Sequence, residues 1–401
     1  MSQEDRDREW REDLTNLSAR GLRRKLRLVV GAQGRLVELD GQARVNFSSN
    51  NYLGLSAHRE LAARAAQASR EVGCGATASR LIVGNMAEHE LLEHELAAFH
   101  GTAAALLLNT GYSANIGILQ AICGPEDEVF SDALNHASII DGCRLSRARI
   151  TVVPHLDLAA LERGLKTSTA RRKLVVTDSV FSMDGDRADV AGLARLAAEH
   201  GAALMLDEAH AIGVVGPRGR GLAAEVGVRA DIHLGTLGKA FGSFGAYVAG
   251  SRALVELLLN RARSFVFTTG LPPGVVAASR AALEIVAGPE GEDLRRRLRL
   301  RVEELTQGLR RLGLPASAAS PIFPIIVGDE GRTMECCEAL LALGVYAQGI
   351  RPPTVPRGTS RLRIALMATH TPEDVRTLLG AIRGLIDRGL LPAGDPAQVS
   401  S

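Results

Sequence analysis

The chain has 401 residues, a net charge of +2 and a charged fraction of 23%. Its hydrophobic fraction of 46% is ordinary for a globular protein, so the composition excludes disorder, collagen and coiled coil. The balanced charge gives no electrostatic reason to expect a nucleic-acid or anionic-membrane partner. No apolar run reaches the roughly 18 residues of a membrane span, so we expect none.

The first part of the chain mixes acids and bases densely, which predicts neither a signal peptide nor a transit peptide. The five cysteines lack metal-ligand spacing. HELLEH (89–94) has Glu93 where a zinc motif requires histidine. We therefore expect a cytoplasmic protein with reduced thiols and no metal site.

In chain order, apolar spacing predicts an amphipathic helix over 5–25 and a hairpin over 36–47. From about residue 50, strand-length apolar runs alternate with helical stretches. The runs are 103–108, 128–133, 150–155, 173–180, 203–209, 231–237 and 245–251. This alternation indicates an α/β fold, with a mostly parallel sheet covered by helices on both faces.

From about residue 290 the pattern changes to that of a second, smaller α+β layer. Its predicted elements are a long charged helix (292–313) with solvated arginines, strands at 321–328 and 361–367, and helices around 333–343 and at 372–387. The predicted domains are an N-terminal helix and hairpin arm (1–49), a large α/β domain (50–288), a small α+β domain (289–390) and a tail (391–401).

Only four of the 47 basic residues are lysines, which makes Lys239 in GTLGKAFG conspicuous. It follows a predicted strand, where open α/β sheets bind their ligands. A lysine is required where an amine must bond covalently to a carbonyl carbon, which arginine cannot do. A surface loop lysine is the alternative that spacing leaves open.

Two further strand ends carry candidate groups. Asp207 and His210 in LMLDEAHAIG suit a buried pair that tunes a cofactor. The alternative, that Asp207 only caps the turn after the strand, stays open. A helicase is excluded because the chain has no Walker A loop. NTGYSAN (109–115) is a predicted strand-to-helix turn whose backbone N–H groups suit a phosphate.

Nine segments, in order, resemble the α-oxoamine synthases, fold-type I enzymes that use pyridoxal 5′-phosphate (PLP). They are NFSSNNYLGL (46–55), SRLIVGN (79–85), NTGYSAN (109–115), DALNHASIIDG (132–142), TDSVFSMDGD (177–186), LDEAHAIGVVGPRGRG (206–221), GTLGKAFG (235–242), RSFVFTTGLPP (263–273) and RPPTVPRGTSRLRI (351–364). The resemblance implies a mostly parallel seven-stranded central sheet. It also implies a smaller domain built from the C-terminal part plus the N-terminal segment, and a homodimer with shared active sites.

Within this family, RPPTVP (351–356) and SRLIVGN (79–85) are most similar to members that condense L-alanine with a pimeloyl thioester. The enzyme alternative is a ligase that joins glycine to acetyl-CoA. A catalytically silent subunit on the same fold is the alternative of another class, and the retained site residues argue against it.

The resemblance implies a role for each matching residue. Lys239 would bind PLP covalently and take the α-proton of the amino acid, Asp207 would pair with the pyridinium nitrogen, and His136 would stack on the ring. Further PLP contacts are expected from Gly111, Tyr112, Ser182, His210, Thr236 and, in a neighbouring subunit, Thr268 and Thr269. Arg363 and Asn50 would bind the amino-acid carboxylate. Arg23 and Thr354 would face the acyl thioester, whether CoA or acyl carrier protein carries it.

Overall fold

The structure is a computed structural model that describes residues 1–391, and its contacts divide the chain into two units. The small unit comprises Met1–Ser49, Leu300–Leu366 and the segment that begins at His370. The large unit comprises Asn50–Arg299 and Met367–Thr369. Among the described residues, no helix combines the length and the apolar character that crossing a membrane requires.

Fourteen strands and fourteen α-helices are named here in chain order. The strands are β1 (Val29–Val30), β2 (Leu36–Leu39), β3 (Gln42–Asn46), β4 (Ala104–Leu108), β5 (Glu128–Asp132), β6 (Arg149–Val153), β7 (Lys173–Asp178), β8 (Ala202–Asp207), β9 (Ile232–Thr236), β10 (Ala246–Gly250), β11 (Ile322–Gly328), β12 (Val345–Tyr346), β13 (Gln348–Ile350) and β14 (Ser360–Ala365). The helices are α1 (Gln3–Ala19), α2 (Arg59–Val72), α3 (Ala87–His100), α4 (Gly111–Ile122), α5 (Ala137–Ser146), α6 (Leu158–Thr167), α7 (Val190–Glu199), α8 (Leu222–Glu225), α9 (Arg252–Arg261), α10 (Arg263–Val266), α11 (Pro273–Ala287), α12 (Pro289–Arg311), α13 (Glu330–Ala342) and α14 (Pro372–Asp387).

The large unit is built on a seven-stranded sheet with the order β4-β10-β9-β8-β7-β5-β6. Neighbouring strands from β9 to β6 are parallel, whereas β10 is antiparallel to both β9 and β4. It follows that every strand except β10 points the same way. All seven strands arise from the predicted apolar runs, and the predicted fold class is confirmed.

Helices cover both faces of this sheet. Side chains alternate along a strand, so Leu174 and Val176 of β7 pack in one core cluster while Val175 packs in the other. The first cluster contains residues of α4, α5 and α9, and the second contains residues of α6, α7 and α8. Each strand is therefore buried on two sides, which explains why its sequence is almost continuously apolar.

The small unit contains two sheets. One has the order β1-β2-β3-β12, with the predicted hairpin present as β2 and β3, and the other has the antiparallel order β11-β14-β13. In the second sheet, Arg363 of β14 lies opposite Pro324 of β11 and Gln348 of β13. Arg363 therefore occupies the central strand of its sheet.

The contact boundary near the long helix differs from the predicted boundary at residue 289. It falls between Arg299 and Leu300, inside α12. Arg295 near the start of α12 is 2% exposed and donates from Nη1 to the carbonyl oxygen of Val286 in the large unit at 2.8 Å. This contact explains why the first part of α12 belongs to the large unit. The prediction that the arginines of this helix form a solvated face is wrong at Arg295.

Leu391, assigned to the predicted tail (391–401), is buried, and 392–401 lie outside the described residues.

Gly242, in the turn after β9, is expected to tolerate no side chain. Its φ is +64°, and a Cβ there would lie 2.3 Å from the backbone nitrogen of Ser56. Gly101 has a similar φ of +69°, but a Cβ there would meet nothing within 4 Å. Urea unfolding should show that Gly101→Ala lowers the free energy of unfolding by about 1–2 kcal/mol, because of the backbone conformation alone. Gly242→Ala should lower the free energy of unfolding by about 3 kcal/mol or more, because overpacking adds to the same backbone strain. Equal losses would contradict the clash.

Candidate active site

The candidate site lies at the edge of the large sheet where the same-direction strands end. Asp178, Asp207 and Thr236 are the last residues of β7, β8 and β9, and Gly111 begins the helix that follows β4. Parallel α/β sheets bind ligands at this carboxyl edge. The topology thus brings together residues that are far apart in the sequence.

Lys239 lies in the turn after β9 and belongs to a chain of hydrogen bonds. Its Nζ is 2.8 Å from Nε2 of His210, and Nδ1 of His210 is 2.7 Å from the hydroxyl of Tyr52. That hydroxyl donates to Oδ1 of Asn50 at 3.2 Å. His210 is 4% exposed, so a buried imidazole holds the lysine amine in place.

Asp207 is a buried carboxylate at the end of β8, with 5% of its surface exposed. Its Oδ2 accepts from Nδ2 of Asn115 at 2.8 Å and its Oδ1 from the backbone N–H of Ala209 at 3.0 Å. Within the described part of the chain it forms no ion pair. Burying an unpaired charge is costly, so the arrangement suits a cationic partner supplied by a ligand.

His136 caps the amino terminus of α5. Its backbone N–H donates to Oδ2 of Asp178 at 2.7 Å, and its Nδ1 lies 2.7 Å from the hydroxyl of Ser138. Burial removes water from the ring of His136 and lowers its pKa. The positive charge of Lys239 lowers this pKa further, whereas the negative charge of Asp207 raises it. The imidazole is therefore neutral at neutral pH, which suits a ring that stacks on another aromatic ring.

Asp178 lies beside Asp207 in the sheet, because the register of β7 and β8 pairs the two residues. Burial raises the pKa of Asp178 well above its ordinary value, and the neighbouring charge of Asp207 raises it further. Two adjacent buried carboxyls do not both ionise readily. The carboxyl of Asp178 accepts from the backbone N–H of His136 and so helps to fix the position of that residue.

The amino terminus of α4 supplies a candidate phosphate site. The amides of Gly111 and Tyr112 lie in the first turn, where an α-helix offers its N–H groups no carbonyl partner. A Cβ at Gly111 would meet nothing within 4 Å, so the space beside this turn is open. The side chain of Tyr112 donates to Oδ2 of Asp141 at 2.6 Å. Thr236 donates its hydroxyl to the carbonyl of Gly245 at 3.1 Å.

The remaining predicted PLP contacts also belong to the large unit. Ser182 is half-buried in the segment after β7. Thr268 and Thr269 follow α10, where Thr269 forms an isolated bridge with Ser79 and its carbonyl accepts from Nδ2 of Asn109 at 2.9 Å.

The predicted substrate contacts other than Asn50 belong to the small unit. Arg363 is buried in β14, and so is Arg361, whose Nε donates to the carbonyl of Thr359 at 3.0 Å. Arg23 and Thr354 are exposed and line one cavity of this unit.

Sequence reasoning assigned no role to four residues that shape the site. They are Tyr52, Asn115, Ser138 and Asp178, and each lies in a segment that resembles the family. Asn115 offered a signal, since it lies one turn before Ile118 and Leu119 on the buried face of α4. A buried amide needs a partner, and its partners are Asp207 and Ser138.

The chemistry of this set fits PLP. Lys239 offers the amine for a covalent bond, Asp207 the unpaired carboxylate for the ring nitrogen, His136 a neutral flat ring, and the start of α4 the donors for the phosphate. The buried aspartate without a cationic partner is the most specific of these features.

Known proteins resemble the chain over nearly its whole length. The family model described as aminotransferase class I and II matches residues 43–382. The chain is 51% identical over 385 residues to the 8-amino-7-oxononanoate synthase of Anaeromyxobacter dehalogenans (strain 2CP-1), covering 95% of this chain and 96% of that one. It is also 51% identical over 375 residues to the synthase of Citrifermentans bemidjiense, covering 92% and 96%.

Solved structures share the fold. Serine palmitoyltransferase of Sphingomonas wittichii superposes with a TM-score of 0.90 at 32% identity, covering 96% of this chain and 98% of that one. The 8-amino-7-oxononanoate synthase of Francisella tularensis gives a TM-score of 0.75 at 26% identity, covering 87% and 99%. Together with the site geometry, these similarities show that the chain belongs to the α-oxoamine synthases, within the family of class I and II aminotransferases.

Proposed function

We propose that the protein condenses L-alanine with a pimeloyl thioester in biotin biosynthesis. The products are 8-amino-7-oxononanoate, carbon dioxide and the free thiol. The observation that carries the proposal is the Lys239–His210 hydrogen bond at the same sheet edge as the unpaired buried carboxylate of Asp207. This is the group set that PLP chemistry at an amino-acid α-carbon needs, and curated relatives about half identical to the chain carry the synthase name.

PLP, once bound, supplies an electron sink for the carbanion left when the α-carbon of the amino acid loses its proton. Lys239 takes that proton at Nζ, and His210 fixes the position of the amine. Asp207 accepts a hydrogen bond from the ring nitrogen and keeps it protonated, while Asn115 fixes the carboxylate. His136 stacks on the ring as a neutral imidazole.

The other contacts orient the cofactor and its substrates. Gly111 and Tyr112 bind the phosphate through their amides, with the Thr236 hydroxyl beside them, and Ser182 joins His210 near the phenolate oxygen. We infer a homodimer in which Thr268 and Thr269 of the partner subunit complete the phosphate site. The five free cysteines suit a reducing compartment, which supports a cytoplasmic enzyme.

Arg363 is proposed to bind the amino-acid carboxylate, with Asn50 assisting. Arg363→Lys keeps the charge but loses the planar fork that binds a carboxylate through two hydrogen bonds. Such charge-assisted bonds each contribute about 1.5–3 kcal/mol, so the KM for L-alanine should rise about 10- to 100-fold. The KM for the acyl donor should change far less. Steady-state kinetics with each substrate varied in turn measures both.

Arg361→Lys is the matched control for this prediction. Both arginines are buried in β14, and the period of two along a strand places them on the same face. Arg361 already donates to the carbonyl of Thr359, so its replacement should leave the KM for L-alanine nearly unchanged. A large rise for Arg361→Lys together with none for Arg363→Lys would move the carboxylate site to Arg361.

Matched incubations test the proposed substrates. The purified protein with PLP is given L-alanine or glycine in combination with pimeloyl-CoA or acetyl-CoA, and the release of free thiol is followed. The proposal expects the fastest release from L-alanine with pimeloyl-CoA. Faster release from glycine with acetyl-CoA would replace it with the ligase reaction, and no release from any pair would indicate a catalytically silent subunit.

A further inference from the structure

His155 lies between two carboxylates in the large unit. It follows β6, and its Nδ1 lies 2.9 Å from Oδ1 of Asp132, the last residue of β5. Its Nε2 lies 2.6 Å from Oδ2 of Asp186, in the segment after β7. A neutral imidazole has one N–H and can donate to only one of these carboxylates, whereas an imidazolium has two. The geometry therefore fits the charged form of His155.

The surroundings of His155 favour this charge. Burial alone would lower the pKa of His155, but the hydrogen bonds and negative charges of Asp132 and Asp186 outweigh burial and raise that pKa above its ordinary value. Oδ1 of Asp186 is buried and has no hydrogen-bond partner among the described residues. His155 is therefore the partner that compensates the charge of Asp186 in this part of the chain.

Asp132 shapes the turn after β5, which leads into His136. Its Oδ1 accepts from the backbone N–H of Leu134 at 2.8 Å, and its Oδ2 accepts from the backbone N–H of Leu156 at 2.9 Å. Leu156 has a φ of +58°, a left-handed conformation that is unfavourable for a residue with a side chain. Asp132 thus fixes both the turn before His136 and the strained residue after His155.

The turn after β7 is closed by two backbone hydrogen bonds. The N–H of Phe181 donates to the carbonyl of Asp186 at 3.0 Å, and the N–H of Gly185 donates to the carbonyl of Phe181 at 2.9 Å. Ser182 lies inside this turn. The rings of His155 and Phe181 meet edge to face, with their centres 4.5 Å apart. His155 therefore contacts the turn at two points, the Asp186 carboxylate and the Phe181 ring.

We propose that His155 is a positioning residue whose imidazolium joins the turn after β5 to the turn after β7. The first turn leads to His136, which we assign to the face of the PLP ring, and the second carries Ser182. The proposal rests on the proposed function and extends it by a residue that acts through its neighbours. Loss of this bridge should leave both turns less fixed, and a small misplacement of orienting groups slows a reaction strongly.

His155→Gln tests the bridge, because the amide keeps a polar side chain but carries no charge. In the holoenzyme, kcat should fall about 10- to 100-fold, whereas the KM for L-alanine should change less than about twofold. The visible circular dichroism of bound PLP, which reports how rigidly the cofactor is held, should also decrease. A spectrum and a kcat equal to those of the unsubstituted protein, with only the urea midpoint lowered, would make His155 a structural residue and overturn the proposal.

Asp186→Asn tests the same bridge with a milder change. The Asp186 side chain is 36% exposed, and the amide keeps its shape while it removes the charge. The double variant of His155→Gln and Asp186→Asn should lose no more kcat than the more damaging single change, because each change breaks the same bridge. Losses that multiply would show that the two side chains act independently and would contradict the bridge.

His58→Gln is the matched control. The side chain of His58 is 24% exposed, against 25% for His155, and its Nε2 lies 3.2 Å from Oε1 of Glu290. This pair does not join the two turns. Its loss should leave kcat and the visible spectrum unchanged.

Urea unfolding at several pH values tests the charge of the bridge. Because the pKa of His155 is raised in the folded protein, the resulting stability is fully present below the ordinary value of 6.5 and is lost as the pH rises through the raised value. The difference in urea midpoint between the unsubstituted protein and His155→Gln should therefore be larger at about pH 6 than at about pH 9. The other charged or titratable groups of the joined turns are present in both proteins, so their titration cancels in this difference; they are His136, Asp157, Asp184 and Arg187. A difference that stays constant or grows with pH would contradict the imidazolium.

The visible spectrum and the urea difference need no turnover, so they separate this proposal from the proposed reaction. If both change as expected while no pair of substrates releases thiol, the proposed reaction fails and the bridge stands. If thiol is released but His155→Gln leaves kcat and the spectrum unchanged, the proposed reaction stands and the positioning role of His155 is overturned.

Discussion

The Lys239→Ala variant is expected to lose at least about a thousandfold in kcat, because we propose that Lys239 is both the covalent anchor of PLP and the base that takes the α-proton. The Nζ of Lys239 is held 2.8 Å from Nε2 of His210, a position that the other three lysines do not share. Kinetics and the visible absorption of bound PLP measure the two losses separately.

Borohydride reduction tests the anchor in the unsubstituted protein. It converts the carbon–nitrogen double bond between PLP and the lysine amine into a stable bond, so the modified peptide identifies the lysine. Residue 239 should carry the label, and a label at Lys25, Lys166 or Lys173 would refute the assignment. Lys166→Ala is the control: Lys166 is 70% exposed beside Glu162 on α6, and its replacement should leave kcat unchanged.

The Asp207→Asn variant should fold normally but retain less than about a hundredth of the wild-type kcat. An amide cannot hold the ring nitrogen protonated, so the electron sink on which the α-carbon chemistry depends is weakened. The amide has the same shape as the carboxyl group and its oxygen can still accept from the backbone N–H of Ala209, although the hydrogen bond from Asn115 to the other oxygen is lost. Circular dichroism checks the fold, and steady-state kinetics gives kcat.

Asp157→Asn is the matched control for this change. Asp157 caps α6 and accepts from the backbone N–H of Ala160 at 2.8 Å, and asparagine caps a helix about as well as aspartate. Its kcat should match the wild-type value. If Asp207→Asn kept more than about a tenth of wild-type activity, the pairing of Asp207 with the ring nitrogen would be wrong.

The seven strands of the large unit could be predicted because each is buried on both faces and so leaves a continuous apolar run. The strand order could not, because the pairing of β10 with β4 and the antiparallel direction of β10 depend on contacts between distant segments. Arg295 shows a similar limit. In sequence it is one arginine among several on a charged helix, and only the carbonyl of Val286 explains why it is buried.

Part of the candidate site could also be predicted. Lys239 was conspicuous in a chain that otherwise uses arginine, and Asp207 followed a strand. The pairing of Asp178 with Asp207 required the register of β7 and β8, which no spacing rule reveals. Tyr52 reaches His210 from 158 residues away in the sequence, so its contact depends on the tertiary fold alone.

The stoichiometry of the reaction with L-alanine labelled with carbon-13 at its carboxyl carbon tests the central claim most directly. The proposed decarboxylative condensation predicts one labelled carbon dioxide and one free thiol for each unlabelled 8-amino-7-oxononanoate, identified by mass spectrometry. Thiol release without labelled carbon dioxide, or a product that retains the labelled carbon, would contradict the account.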